Sequence, residues 1–259
     1  DWAFYQHNVS ERLSLKAGRV PLPLGIFNEA GGAAATSPFF RPANELYDRH
    51  YTSKTLEGAL ASISIGDAEG WSFDVDGYGG QWKLDEWDTN DRADARQAWG
   101  AQVWANSPIP GVRVGAGAYR CEVERSTGGA PSDYFMLHAS VDADLDRWRL
   151  ATEYLSGNLE SYGRYRAAYV QAGFQATARV SVHARASLAR IELPINGHSV
   201  DSTLSEDLGL SINYSLHPSV LLKLEGHTNG GLLREDVPLN FYASPSRTRY
   251  LIASVVASF

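Results

Sequence analysis

Residues Ser246–Phe259 read SRTRYLIASVVASF. The stretch holds no Gly and no Pro, and it ends on an aromatic residue. Side chains alternate across an extended strand with period two. Leu251, Ala253, Val255, Ala257 and Phe259 therefore share one face, and Ile252, Ser254, Val256 and Ser258 share the other. A strand with one wholly apolar face suits a wall against lipid, and a soluble edge strand can alternate too. The rest of the chain decides between them.

Composition narrows the choice. The chain has 259 residues, 44% apolar content and a net charge of −7. That is enough for one large β domain or two ordinary ones. There is no apolar run of about 18 residues or more, which excludes a transmembrane helix but not a spanning sheet, since half of each barrel strand faces water. The chain carries 13 Tyr and 7 Trp, residues wanted where a wall crosses from lipid to water. Cys121 is the single cysteine, so no internal disulfide framework or multi-thiolate metal site can form. The acidic balance argues against a general nucleic-acid binder.

Hairpins follow one another along the chain. Trp2–Val9 and Arg12–Val20 flank a tight Ser10-Glu11 turn. Leu60–Ile65 and Trp71–Val75 flank Asp67–Gly70. Ala98–Asn106 and Val112–Glu122 flank Ser107–Gly111; Tyr134–Val141 and Trp148–Leu155 flank Asp142–Asp146. Tyr165–Phe174 and Arg179–Leu188 flank Ala176-Thr177, and Leu208–Leu216 and Val220–His227 flank His217-Pro218. Longer loops join the hairpins at Gly79–Arg96, Ser126–Asp133, Asn158–Gly163, Pro194–Ser202 and Gly230–Pro245. Short turns and long loops thus alternate strictly, with segments of about 8–11 residues, the length a tilted spanning strand needs. The apolar faces stay apolar for a whole strand: Leu208, Leu210, Ile212, Tyr214 and Leu216 oppose Gly209, Ser211, Asn213 and Ser215. Tyr165–Phe174 is ambiguous, with aromatic and aliphatic residues on both faces, and a bulge is expected there.

This pattern predicts an all-β fold, a single antiparallel up-and-down transmembrane β-barrel over residues 1–259 with short periplasmic turns and long extracellular loops. About thirteen strands can be counted, and the first runs toward the periplasm, so N-terminal strands are expected to be missing from a barrel of ~16. The segment 21–56 is a long loop with Pro21, Pro23, Pro38, Pro42 and the aromatics Phe27, Phe39, Phe40, Tyr47 and Tyr51. Loops of that length in compact domains are usually functional or disordered. Its aromatics favour folding against the wall, with a short helix near Ala43–Tyr47.

Lys16–Glu29 reads KAGRVPLPLGIFNE. It resembles the Gly-Arg…Pro…Gly…(Phe/Tyr)-(Asn/Glu) string at which a strand enters a long loop in porin-like outer-membrane proteins of proteobacteria. The hairpin array and the terminal strand extend the resemblance over most of the chain. It implies a water-filled, trimeric pore in the bacterial outer membrane, narrowed by the first long loop. It implies contact with the lipid bilayer and lipopolysaccharide, and a terminal Phe259 read by the barrel-assembly machinery.

In such a barrel, charged side chains cannot sit cheaply against lipid, so they line the lumen and set ion selectivity. The basic candidates are Arg12, Lys16, Arg113, Arg149, Arg164, Arg166, Arg179, Arg185 and Lys223. The acidic ones are Glu29, Glu45 and Asp48 in the long loop and Asp74, Asp76, Glu153 and Glu225 on strands. A basic wall facing an acidic loop would place a transverse field across the constriction. Mutual pairing that merely fills the lumen is the plainer alternative for each residue. No cofactor is expected. His183 and His227 lack a partner at metal-ligand spacing, Asp85, Asp88, Asp91 and Asp94 fit no calcium loop, and no Gly-x-Ser-x-Gly string marks a hydrolase.

The function expected is passive diffusion of small hydrophilic solutes or ions, without enzymatic activity. Two alternatives stand beside it: the C-terminal part of a larger receptor barrel, and a soluble all-β surface binding protein.

Overall fold

The computed structural model describes residues 2–28, 37–47, 53–67, 69–85, 92–125, 128, 130–159, 163–195, 198–232 and 246–257. Strands β1 (Ala3–Ser10) and β2 (Leu13–Pro21) precede a four-residue helix, α1 (Asn44–Tyr47). Then come β3 (Thr55–Gly66), β4 (Ser72–Asp85), β5 (Arg92–Asn106), β6 (Val112–Arg125), β7 (Ser132–Leu145) and β8 (Trp148–Leu159). The last five are β9 (Gly163–Gln175), β10 (Val180–Ile195), β11 (His198–His217), β12 (Val220–Gly231) and β13 (Ser246–Ala257). Each strand pairs with the next in chain order from β1 to β13, making one antiparallel up-and-down sheet of 13 strands.

Two connections differ from the sequence reading. Much of the polar stretch 79–96 is strand: β4 runs on to Asp85, and β5 begins at Arg92. Likewise β10 and β11 continue through most of 194–202, pairing Pro194 with Ser199 and Ile195 with His198. The charged, Asp-rich composition of 79–96 suggested a loop, but charges there are paired across strands, as in Arg96–Glu124 at 2.9 Å, and so are those of the second hairpin, as in Arg190–Asp201 at 3.1 Å. Opposite charges across a ladder stabilise an extended hairpin.

Polarity is inverted relative to a soluble protein. On β11 and β13 the apolar side chains point outward and stay bare, with Leu210 62% and Leu251 80% exposed. The polar side chains Ser211, Asn213, Lys223 and Glu225 point inward and are buried. A sheet-wide apolar face of this extent is stable against hydrocarbon, where only closed hydrogen-bonded walls survive.

The strand β9 has no bulge. Its register runs unbroken against both β8 and β10. Tyr165, Ala167, Tyr169 and Gln171 face inward and are buried, while Val170 is bare outside. Both faces read as apolar because the inner one packs against protein rather than water.

The core lies inside the wall. Tyr119, Tyr134, Met136, Leu155 and Tyr169 on strands join Val20, Leu22, Leu24, Phe27 and Leu46 in one buried cluster. Tyr119 packs edge-on against Trp82 and Tyr134, with centroids 5.2 and 5.8 Å apart, the arrangement that ring quadrupoles favour.

Candidate functional site

The inner face and the segments 22–28 and 37–47 that cover it form the site. One loop touches Gln102 on β5 and Lys223 on β12, which requires the sheet to curl around it.

The first contact centres on Glu153 of β8, which is buried. Its Oε1 accepts from the Ile26 backbone N–H at 2.8 Å and from the Ser140 hydroxyl at 2.7 Å. Its Oε2 accepts from the Tyr169 hydroxyl at 2.7 Å and from the Tyr47 hydroxyl. Beside them the Gly25 N–H donates to Gln102 Oε1 at 2.8 Å. Burial, with the Glu153 charge second, raises the Tyr47 phenol well above its ordinary value, so it remains a donor.

Gly25 is required at this point. Its φ is +61°, and a Cβ there would stand 2.2 Å from Glu153 Oε1 and 2.5 Å from the Tyr47 hydroxyl. Gly25→Val should therefore cost about 1–3 kcal/mol from backbone strain alone, with the clash in addition. The loss is read as a lower unfolding temperature of the folded barrel on semi-native gels.

The second contact holds residues 37–41. Lys223 Nζ donates to the carbonyls of Ser37 at 2.6 Å and Phe39 at 3.2 Å. Ser211 Oγ and Asn213 Nδ2 both donate to the Pro38 carbonyl at 3.0 Å. Arg185 Nη1 donates to the Arg41 carbonyl at 3.0 Å, and its guanidinium lies 4.3 Å from the Phe39 ring centroid. The Phe40 N–H donates to Glu225 Oε1 at 2.6 Å. Behind this set, His227 sits between two carboxylates, with Nδ1 2.9 Å from Asp207 Oδ2 and Nε2 3.2 Å from Glu225 Oε2. Both ring nitrogens face acceptors, so the imidazolium satisfies them best. The helix α1 is tied in by the Tyr165 hydroxyl, which donates to the Glu45 carbonyl, and by Ser205, which donates to the Glu45 carboxylate at 2.9 Å.

The remaining candidates divide by position. Arg113 is on the inner face of β6, paired with Asp142 at 3.0 Å and 4.3 Å from the Trp104 ring centroid. Lys16 lies inward on β2, 5.6 Å from the Phe4 ring centroid. Asp76 accepts from Ser62 at 2.6 Å, and Asp74 from Ser64 at 2.7 Å and Asn106 at 2.9 Å. Arg149 is half-buried on the inner face of β8, opposite Asp144 in register. Arg12 and Arg179 lie exposed at short-turn ends. Glu29, Asp48 and Phe259 lie outside the described residues.

Two placements correct the sequence reading. Arg164 and Arg166 alternate with the buried Tyr165 and Ala167, so they point outward rather than into the lumen, and Arg166 pairs with Glu192 at 3.0 Å. They can do so because they lie beyond the apolar belt at the strand end. Nor do Lys223 and Arg185 face an acidic loop across open space; they grip its backbone carbonyls. Gln102, Ser140, Tyr169, Ser211 and Asn213 were missed altogether. Only their place on the polar or ambiguous strand faces hinted at them. Among the described residues no group of three or more His, Cys, Asp or Glu is placed to hold a metal ion.

A curled antiparallel sheet with an apolar exterior and an inward-folded loop defines the porin type of outer-membrane β-barrel. Solved structures of that type superpose on the chain. The outer-membrane channel DcaP of Acinetobacter baumannii matches with a TM-score of 0.62 at 9% identity, over 95% of this chain and 74% of that one. The anion-selective porin from Comamonas acidovorans matches with a TM-score of 0.62 at 12% identity, over 95% and 74%. The trimer form of OmpT, an outer-membrane protein of Vibrio cholerae, matches with a TM-score of 0.61 at 12% identity, over 95% and 77%. No protein-family model and no curated protein sequence matches the chain. The chain has the fold of outer-membrane porins.

Proposed function

We propose that the chain forms the wall of a porin in the bacterial outer membrane, passing small hydrophilic solutes or ions by diffusion through a lumen narrowed by its first long loop. The observation that carries this reading is the pairing of a bare apolar exterior with a loop held on the inner face by Glu153, Arg185 and Lys223. A peptide held at mid-wall by side chains from several strands reduces the cross-section where it lies. The inward Arg113, Arg149, Lys16, Asp74 and Asp76 then set the local field that passing ions meet. We assign assembly as a homotrimer, in keeping with the trimeric form of the Vibrio protein, with lipid and lipopolysaccharide around it and Phe259 as the assembly signal.

The test is single-channel recording of the full-length protein in a planar bilayer under a salt gradient. Stepwise ohmic openings support the porin; a folded, inserted barrel that gives none points to a plugged receptor. The same recordings check two substitutions. Asp76→Asn removes an inward anion and should move the reversal potential toward anion preference. Lys223→Met removes the cation that holds Ser37 and Phe39, leaving Glu225 buried beside fewer positive charges. It should move the reversal potential toward cations and destabilise the barrel by about 1–3 kcal/mol, the scale for leaving buried hydrogen-bond partners unmet.

A further inference from the structure

The second loop contact has a layer of its own behind it, built around the buried ring of His227 on β12. Tyr250 of β13 stacks on that ring, with centroids 4.9 Å apart and planes 7° from parallel. Phe39 from the loop meets it edge-on at 5.9 Å. The opposite residue on β11 is Gly209. A Cβ there would stand 2.8 Å from the His227 Cε1 and 3.1 Å from the Phe39 ring, so a bare backbone makes room for both rings. Glu225 ties this layer to the loop. Its Oε2 lies 3.2 Å from His227 Nε2, and its Oε1 accepts from the Phe40 N–H at 2.6 Å. A carboxylate turns as one rigid plane, so a change at Oε2 is felt at Oε1. The other ring nitrogen, Nδ1, lies 2.9 Å from Asp207 Oδ2. Among the described residues, the titratable and charged groups facing this cluster are Arg185 from β10, Asp207 from β11, Glu225 from β12, Tyr250 from β13, and Arg41 and Glu45 from the loop side. Lys223 stands two inward positions along β12. Arg185 and Lys223 grip loop carbonyls directly. His227 reaches the loop only through Glu225 and through its ring contact with Phe39.

We propose that His227, as the imidazolium, is the positioning residue of the second loop contact: its two protons fix Glu225 and so seat Phe39 and Phe40, and loss of one proton frees them and widens the passage. Only the doubly protonated ring can donate to both carboxylates. With one proton gone, a ring lone pair faces a carboxylate oxygen. The longer contact, at Nε2, is the one that gives way. Glu225 then turns from the ring and carries Oε1 away from the Phe40 N–H. The effect on conduction rests on the porin reading above; the seating of Phe39 and Phe40 does not.

The experiment uses the full-length barrel, labelled with heavy nitrogen and refolded in detergent micelles, with folding first confirmed by its heat-dependent gel mobility. Nuclear magnetic resonance reads the His227 ring and the Phe40 amide, and planar-bilayer recording reads single-channel conductance. At neutral pH the ring should carry protons on both nitrogens. As the pH is raised it should lose one, and over the same range the Phe40 amide proton should leave its hydrogen-bonded position and conductance should rise. Asp207→Asn should move all three changes toward neutral pH by about one to two units, the equivalent of one charge-assisted hydrogen bond. A role confined to packing would not move with pH in this way. His227→Gln should show the released Phe40 signal and the higher conductance already at neutral pH, with no step in that range. A ring with a single proton at neutral pH overturns the role without any variant, as does a Phe40 amide that stays in place when the ring changes charge. A step that survives in folded His227→Gln overturns it as well. Release of Phe40 with unchanged conductance overturns the part in conduction and leaves the seating. A folded, inserted barrel with no openings at any pH overturns only the porin reading, since the ring and amide signals are read without a channel.

Discussion

Ile212→Arg should destabilise the barrel in lipid vesicles by about 2–4 kcal/mol, the depth-dependent cost of a cation at the middle of a lipid-facing wall. Ile212 is the central residue of the outward row Leu208, Leu210, Ile212, Tyr214 and Leu216, and it is 52% exposed. Its cross-strand partners are Val182 and Leu224, and Leu224 in turn faces Ala253. No carboxylate stands in that row to answer a guanidinium. The measurement is a urea titration of the folded protein in vesicles, with heat-dependent gel mobility reporting the folded fraction. The soluble all-β alternative predicts the opposite result. An arginine on a water-exposed face would leave stability within a few tenths of a kcal/mol and improve solubility. A folded Ile212→Arg protein that needs no detergent and is as stable as the parent would sink the membrane reading.

The fold was legible because a barrel wall writes its two environments into adjacent residues. Leu251, Ala253 and Val255 against Ile252 and Ser254 already separate outside from inside, and the alternation of short turns with long loops orders the strands. Two of the loop's aromatics, Phe27 and Tyr47, pack against each other, and Phe27 against Tyr169 of the wall. What failed was any inference from a single strand about what covers its inner face. On β9 the inward Tyr165 and Tyr169 meet loop residues, so the strand looked apolar on both sides and suggested a bulge that is not there. Arg164 and Arg166 were placed in the lumen on the rule that charge avoids lipid, which holds only within the hydrocarbon layer. At this end of β9 no outward Tyr or Trp marks where that layer ends. The hub at Glu153 was flagged as an acidic group, but not as the anchor of Ile26. The two residues lie 127 positions apart, and only the curl of the sheet brings them together.

Glu153→Leu should release the start of the loop and raise single-channel conductance. Four donors converge on this carboxylate: the Ile26 N–H and the hydroxyls of Ser140, Tyr47 and Tyr169. Leucine has comparable bulk and no acceptor. If the loop stayed in place, each donor would be stranded at about 1–3 kcal/mol. Release relieves the two loop donors at the cost of uncovering Leu22, Leu24 and Phe27, and the expected response is that residues 22–28 and Tyr47 shift off the wall at this end and take hydrogen bonds from water in the lumen. The contact formed by Lys223, Arg185, Ser211 and Asn213 with residues 37–41 does not depend on Glu153, so the loop should swing from that end rather than detach. Conductance should then rise with a broader spread of open levels. Glu153→Gln keeps one acceptor oxygen but turns an amide N–H₂ toward hydroxyl donors, so it should fall between the parent and the leucine variant. A folded Glu153→Leu barrel whose conductance equals that of the parent would show that this loop does not limit the passage. The narrowest point would then have to be sought among the inward side chains of the strands themselves.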